Sequence, residues 1–308
     1  MFGSSRIGRY SNQSWYTLQI VENLLFEALS GKNRQYISNL TTRTFMRSMA
    51  LLALMVILGG CDSLFPITAS NICEEHEQFC SDLNPDGWCQ AEKNQIIKHR
   101  YQYELAPSEL LDYHLLKDFE AYKVCITNAA QIIYITENDK QARRMQAVVV
   151  AENELKRLAR KTRHSSEPHL LLYHWSRFGD KDAMKKFLAL ETQNKLNTAS
   201  LQLGLASYYV KFNQAKAKQA LYKAIELTPV DAAMESEIFS SLSTISMKQD
   251  NFRDAYIWAY VAKDFAVADI DLEQIASKLN SADQVHKLEN IAEHYIDQIH
   301  DREFKGPR

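Results

Sequence analysis

Leu242 to Ala262 reads LSTISMKQDNFRDAYIWAYVA. Apolar residues fall three and four apart on both sides of the turn Asp250-Asn251-Phe252, which predicts two helices joined by a tight connection. In the second of them Ala255, Ala259 and Ala262 share one face. Small residues on one face are what a helix needs where a partner comes close. The pattern repeats upstream: 38 residues earlier stand Ala217, Leu221 and Ala224, with Pro229 five beyond, and 34 residues before those stand Ala183, Phe187 and Leu190. Each set follows a turn, Phe178-Gly179-Asp180 or Phe212-Asn213, and an earlier helix carrying Leu203-Gly204 with Tyr208-Tyr209, or Leu242-Ser243 with Lys248. Three helix pairs therefore occupy Glu167 to Ala266.

Working outward, Asp271 with Gln274 and Ser281 with Gln284 are capping-box starts. After the second, Val285, Leu288, Ile291, Ala292, Tyr295 and Ile299 form one apolar stripe, as a helix closing the open side of an array requires. Upstream, helices are predicted from Trp88 to about Glu104, after Ser108 with Leu111, Leu115, Phe119, Tyr122, Ile126, Ala129 and Ile133 on one face, and from about Asn138 to Arg163. Asn84-Pro85-Asp86-Gly87 and Ala106-Pro107-Ser108 are the breaks. The last of these helices ends on Lys156, Arg157, Arg160, Lys161 and Arg163. Such an end either complements the helix dipole in solvent or faces anionic headgroups. The fold class is all-α: stacked helical hairpins preceded by a helical segment that its cysteines staple.

Met46 to Cys61 decides the compartment. Arg47, an apolar run from Met49 to Leu58, and Leu58-Gly59-Gly60 before Cys61 have the order of an export signal and its cleavage site. Residues 1–45 precede it at a length that a signal does not carry, so synthesis is expected to start at Met46. Removing residues 1–60 leaves 30 basic against 36 acidic side chains, a net charge of about −6, and no basic surface suited to nucleic acid. Once Cys61 is set aside, Cys73, Cys80, Cys89 and Cys125 form an even set. In an exported chain that predicts two disulfides, with three connectivities possible. A zinc site competes, but the intervals of six, eight and thirty-five residues lack close Cys-x-x-Cys pairs. Folding the αα-hairpin about Pro107 places Cys89 and Cys125 opposite each other, each eighteen residues from the turn. Cys73 to Cys80 then requires a bend, because a continuous helix would hold them apart.

The three helix pairs resemble the tetratricopeptide family and its Sel1-like relatives, most closely at Leu242-Ser243 through Asn251-Phe252 to Ala255. That resemblance implies a short solenoid whose first helices line a groove. Its groove positions fall here on His174 and Arg177, on Leu205, Tyr208 and Tyr209, and on Thr244 and Lys248. The partner it implies is a peptide or helix of another envelope protein. Leu58-Gly59-Gly60-Cys61 resembles the lipobox of bacterial lipoproteins, which implies acylation of Cys61 and attachment to membrane lipid. By the sorting rules of such proteins, Asp62 implies inner-membrane retention, with outer-membrane residence as the alternative. The combination is similar to an uncharacterised family of putative lipoproteins from Gram-negative bacteria. The expected divisions are thus 1–45 outside the protein proper, 46–60 signal, 61–72 tether, 73–165 stapled helices, 166–268 repeats and 269–308 capping helices.

Chemistry is sparse in the sequence. His169 and His174 are five apart and His294 and His300 six apart, so the His-Glu-x-x-His spacing is missing. No nucleophile elbow, phosphate-cradling loop or dinucleotide fingerprint occurs. The expectation is a non-catalytic adaptor with no cofactor and no metal. A cell-envelope hydrolase assembled from distant carboxylates, or a fixed subunit of an envelope complex, are the alternatives.

Overall fold

The computed structural model describes residues 67–132, 138–230, 232–267 and 270–307. The segment 1–45, the signal 46–60, Cys61, Asp62, the first part of the tether and Ile133 lie outside the described residues. Ile67 to the C-terminus belongs to one structural unit. Among the described residues all regular structure is helical: α1 (Ala69–Glu75), α2 (Gln90–Leu105), α3 (Glu109–Ala130), α4 (Asn138–Thr162), α5 (Pro168–Phe178), α6 (Lys181–Thr192), α7 (Ala199–Tyr209), α8 (Gln214–Leu227), α9 (Glu237–Lys248), α10 (Phe252–Asp264), α11 (Leu272–Ala276) and α12 (Ala282–His300). Consecutive helices pack as hairpins: α2 on α3, α3 on α4, α5 on α6, α7 on α8 and α9 on α10, with α12 against α10. No described helix is long and apolar enough to cross a membrane.

The stapled region is built on α3, whose Leu115, Leu116, Phe119, Tyr122, Ile126 and Ala129 are all buried. Cys89 and Cys125 are disulfide-bonded with Cα atoms 5.8 Å apart, across the hairpin that turns at Pro107. Cys73 and Cys80 form the second bridge, also with 5.8 Å between Cα atoms. The bend that it needs is there: α1 stops at Glu75 and a single 3-10 turn, Glu77–Phe79, redirects the chain. Cys89, Glu92 and Cys125 bring ligand-type atoms within 4.8 Å of one another, and the disulfide takes two of the three, so the bridge rather than zinc is the use of these cysteines.

The Asn84-Pro85-Asp86-Gly87 turn is held by buried polar groups. The Asn84 N–H donates to the Tyr122 hydroxyl at 2.8 Å, the Lys93 ammonium donates to the Asn84 and Asp86 carbonyls at 2.8 and 2.6 Å, and Arg144 Nε donates to Asp86 at 2.7 Å. Burial pushes the Tyr122 phenol up to about 12 and lowers the Lys93 ammonium. Burial also raises the Asp86 carboxyl, but hydrogen bonds from the Trp88 N–H, Asn84 and Arg144 outweigh it and leave the group below the usual carboxylate range. At the basic end of α4, Lys161 donates to buried Asp112 at 2.7 Å and to the Tyr103 hydroxyl at 2.6 Å. That lysine stitches α4 to α2 and α3 rather than standing free.

In the three repeated pairs, each second helix starts on an Asx cap: Asp180 accepts from the Asp182 and Ala183 N–H groups, Asn213 from Lys216 and Asn251 from Asp254. Gly179 ends α5 with φ 66°, a left-handed conformation that glycine adopts without steric cost. Counted from the caps, Ala217 and Ala255 occupy the same position, whereas its equivalent in the first pair is Met184. The alignment of Ala183 with Ala217 is thus one residue out, although Ala183 is buried beside it. At the C-terminal end, Leu288, Ala292 and Ile299 are buried, while Ile291 of the expected stripe is exposed. The Ser281 side chain caps α12 as expected, but Gln284 reaches back to the Asn280 N–H instead of to Ser281.

Candidate cleft on the first helices

A cleft of about 650 Å³ opens across α3, α5, α7 and α9, inside the ~300–1,000 Å³ range of ligand pockets. Its floor comes from the first helix of each repeated pair: Leu172 on α5, Leu203 and Ser207 on α7, Ser241 and Ile245 on α9. The spacing 200, 203, 207, 210 along α7 marks one helical face. Gly204 lets Leu172 lie against that face, because a Cβ there would be 2.2 Å from Leu172 Cδ2 and would turn that side chain aside. The absence of a Cβ lets α5 and α7 close together beneath the cleft.

One wall is electrically organised. Arg177 donates to Glu120 through Nε at 2.6 Å and Nη2 at 3.0 Å, and Lys117 reaches the same carboxylate at 3.1 Å. Burial raises the Glu120 carboxyl, but these two cations outweigh it and hold the group below the usual range. Burial, and then the charge of Glu120, pushes the Tyr173 phenol well up. Beside them Tyr113 packs on His169 with ring centres 5.0 Å apart, and His169 bonds Glu167 at 2.8 Å. The opposite wall is the connection from α8 to α9, with Pro229, Ala232, Ala233 and Glu235, and the first residue of α9, Glu237.

Of the seven residues assigned to the groove by resemblance, only Arg177 lines this cleft. His174 is 4% exposed and shares a 2.9 Å hydrogen bond with Thr162 Oγ1; burial lowers its imidazole pKa. Leu205 is 3% exposed in the core. Each lies two residues, a turn of about 200°, beyond a cleft-lining leucine of its own helix, His174 beyond Leu172 and Leu205 beyond Leu203, and so faces away from the cleft. Tyr208 stands edge-on to Trp175 at 5.8 Å and against Phe212 at 5.3 Å. The Tyr209 hydroxyl donates to Glu191 at 2.6 Å, with the Lys216 ammonium over its ring. Thr244 and Lys248 are exposed, outside the cleft. Residues missed from sequence are Tyr113 and Lys117, which come from the stapled region, and the small face of α7, whose Ser200, Gly204 and Ser207 carry no hydrophobic signal.

Stacked helical hairpins, a disulfide-stapled entry and an open cleft define an all-α protein with a built concave surface. The chain belongs to the family described as Protein of unknown function (DUF2989), whose model matches residues 58–260. No curated protein and no solved structure matches it.

Proposed function

We propose that this protein is a membrane-anchored, non-catalytic adaptor that holds a segment of another envelope protein in the cleft formed by α3, α5, α7 and α9. The observation that carries this reading is the cleft itself: an open apolar floor contributed in turn by the first helices of three successive hairpins, as in tetratricopeptide-type arrays. Its polar groups favour binding over chemistry. Glu120 is neutralised by two cations, and Glu167 is engaged by His169 and by the Leu170 N–H. Export and acylation at Cys61 belong to the same proposal, supported by two disulfides, which suit an oxidising compartment. Asp62 then favours the inner membrane.

The test is crosslinking and capture from membranes with the native protein, Ser207→Trp and a control, Lys287→Ala on α12. Ser207 is exposed on the cleft floor, so an indole there fills the cleft without entering the core. A partner captured by native protein and control but lost by Ser207→Trp is expected. Partners that survive Ser207→Trp sink the cleft as the working surface. Mass spectrometry of the amino terminus should find a triacylated Cys61, and an unmodified cysteine there removes the anchor.

A further inference from the structure

The charged side chains that line the cleft are segregated, with Lys117 and Arg177 at one end and Glu235 and Glu237 at the other, and the floor between them carries none. At the α3–α5 end Lys117 and Arg177 line the cleft and share the carboxylate of Glu120, with unused N–H donors on both cations, while Glu167 behind them is engaged by His169 and the Leu170 N–H. Both cations are close to half exposed, at 44% and 45% of their side chains. At the α9 end Glu235 and Glu237 are exposed, and neither has an ion-pair partner among the described residues. Arg302 reaches the same loop, where its Nη2 donates to the Ala232 carbonyl at 2.8 Å, and it forms no ion pair with either carboxylate. Between the ends the floor is Leu172, Leu203, Ser207 and Ile245, apolar or small, and Gly204 keeps it flat.

We infer that the cleft takes an extended peptide segment of fixed charge order: an acidic side chain at Lys117 and Arg177, a short run of small apolar residues across α7, and a basic side chain at Glu235 and Glu237. This rests on the cleft being the binding surface. An extended chain matches the layout, because it passes its side chains across the first helices in sequence order, from the charged end on α3 and α5 to the charged end at α9. The charge order sets specificity more than affinity. A segment with basic residues at both ends meets repulsion at Arg177, and one with acidic residues at both ends meets it at Glu237.

A displayed library of random ten-residue peptides, selected on the immobilised full chain, reads this directly. Three proteins are compared: native, Ser207→Trp, and the double variant Glu235→Lys/Glu237→Lys. The exchanged carboxylates are exposed and unpaired, so folding is not at stake, and circular dichroism checks it. Native protein is expected to enrich peptides with an acid and a base on opposite sides of a small apolar centre. The double variant should instead enrich peptides with acids on both sides and bind the native winners about fivefold more weakly, the scale of exposed ion pairs. Ser207→Trp should enrich neither. Enrichment without charge order, or with an order unchanged in the double variant, overturns the inference while leaving the cleft as the binding surface. Enrichment that persists in Ser207→Trp, or none with native protein, overturns both.

Discussion

His174 shows how a single residue changes meaning between sequence and structure. On the helical wheel it belongs with Arg177, yet α4 covers it and its ring is enclosed against Thr162. Burial lowers its pKa against a weaker opposing pull from Asp180. The native state therefore takes up its proton at lower pH than the unfolded chain, which does so near the ordinary histidine value of ~6.5. Below that pH the unfolded state binds more protons, so stability falls as pH drops, until the lowered native pKa is reached. His114, lowered by burial and by His99, adds to the same window. The urea midpoint is expected to fall between pH 7.5 and 5.5, and His174→Gln should flatten that dependence in part; equal pH dependence in the two proteins would sink the idea. Carboxyls such as Glu120, held below their usual range, act in a separate window that opens only below about pH 4.5. Gly204→Ala is the second residue-scale expectation. The new methyl displaces Leu172, but Leu172 borders the open cleft and can rotate into it, while alanine gains about 1 kcal/mol of helix propensity. Thermal stability should stay within about 1 kcal/mol as peptide capture weakens, and a large loss of stability would show that Leu172 has nowhere to go.

At the scale of elements, what was legible followed from repeating geometry. The helix expected from Trp88 to about Glu104 is Gln90–Leu105, and that expected from Asn138 to Arg163 ends at Thr162. Both arms of the hairpin about Pro107 rise at the same ~1.5 Å per residue, so equal counts to Cys89 and Cys125 were enough to pair them. The cleft face was not legible for the same reason that the helices were. Periodicity identifies buried stripes, as at Ala255, Ala259 and Ala262, and is silent about which remaining face a third helix will border. Nor could local pattern show that α3, two helices upstream, supplies Tyr113 and Lys117. Met184 misled the register because a flexible thioether fills a place that alanine takes in the other pairs. The cross-link carries its own expectation. Opening Cys89–Cys125, which spans 36 positions, should cost about 3 to 4 kcal/mol by the loop-entropy model, and opening Cys73–Cys80, which spans 7, about 2.5 kcal/mol. Urea denaturation of the two paired-alanine variants measures both, and a reversed order would point to strain in the longer bridge.

At the largest scale, two cores among the described residues meet at adjacent positions. Leu170 belongs to the core of α1 to α4, and Leu171 to the core that runs from α5 to the C-terminus. The second core is sealed by a segment without periodicity. Beyond α12 the chain turns at Arg302, with φ 61°, and delivers Phe304 into a cage of Tyr222, Trp258 and Tyr295, with ring centres 6.3, 5.9 and 5.6 Å away. Phe304 is 2% exposed. No sequence pattern marks it, because one phenylalanine after the last helix looks like an ordinary tail residue. The same turn lets Arg302 hold the Ala232 carbonyl, on the connection that walls the cleft, so the C-terminal end supports both the core and the site. Truncating a buried phenylalanine costs ~3–5 kcal/mol, and Phe304→Ala is expected at the lower end, about 3 kcal/mol, since the tail can move to fill part of the space. Arg302→Ala removes one hydrogen bond to a carbonyl and should cost about 1 kcal/mol or less. Amide exchange over residues 232–237 separates the two roles. Arg302→Ala should speed exchange there while leaving Trp258 and its neighbours protected, whereas Phe304→Ala should lower the urea midpoint of the whole second core. An unchanged midpoint for Phe304→Ala would mean that the tail only rests on the surface of α8, α10 and α12.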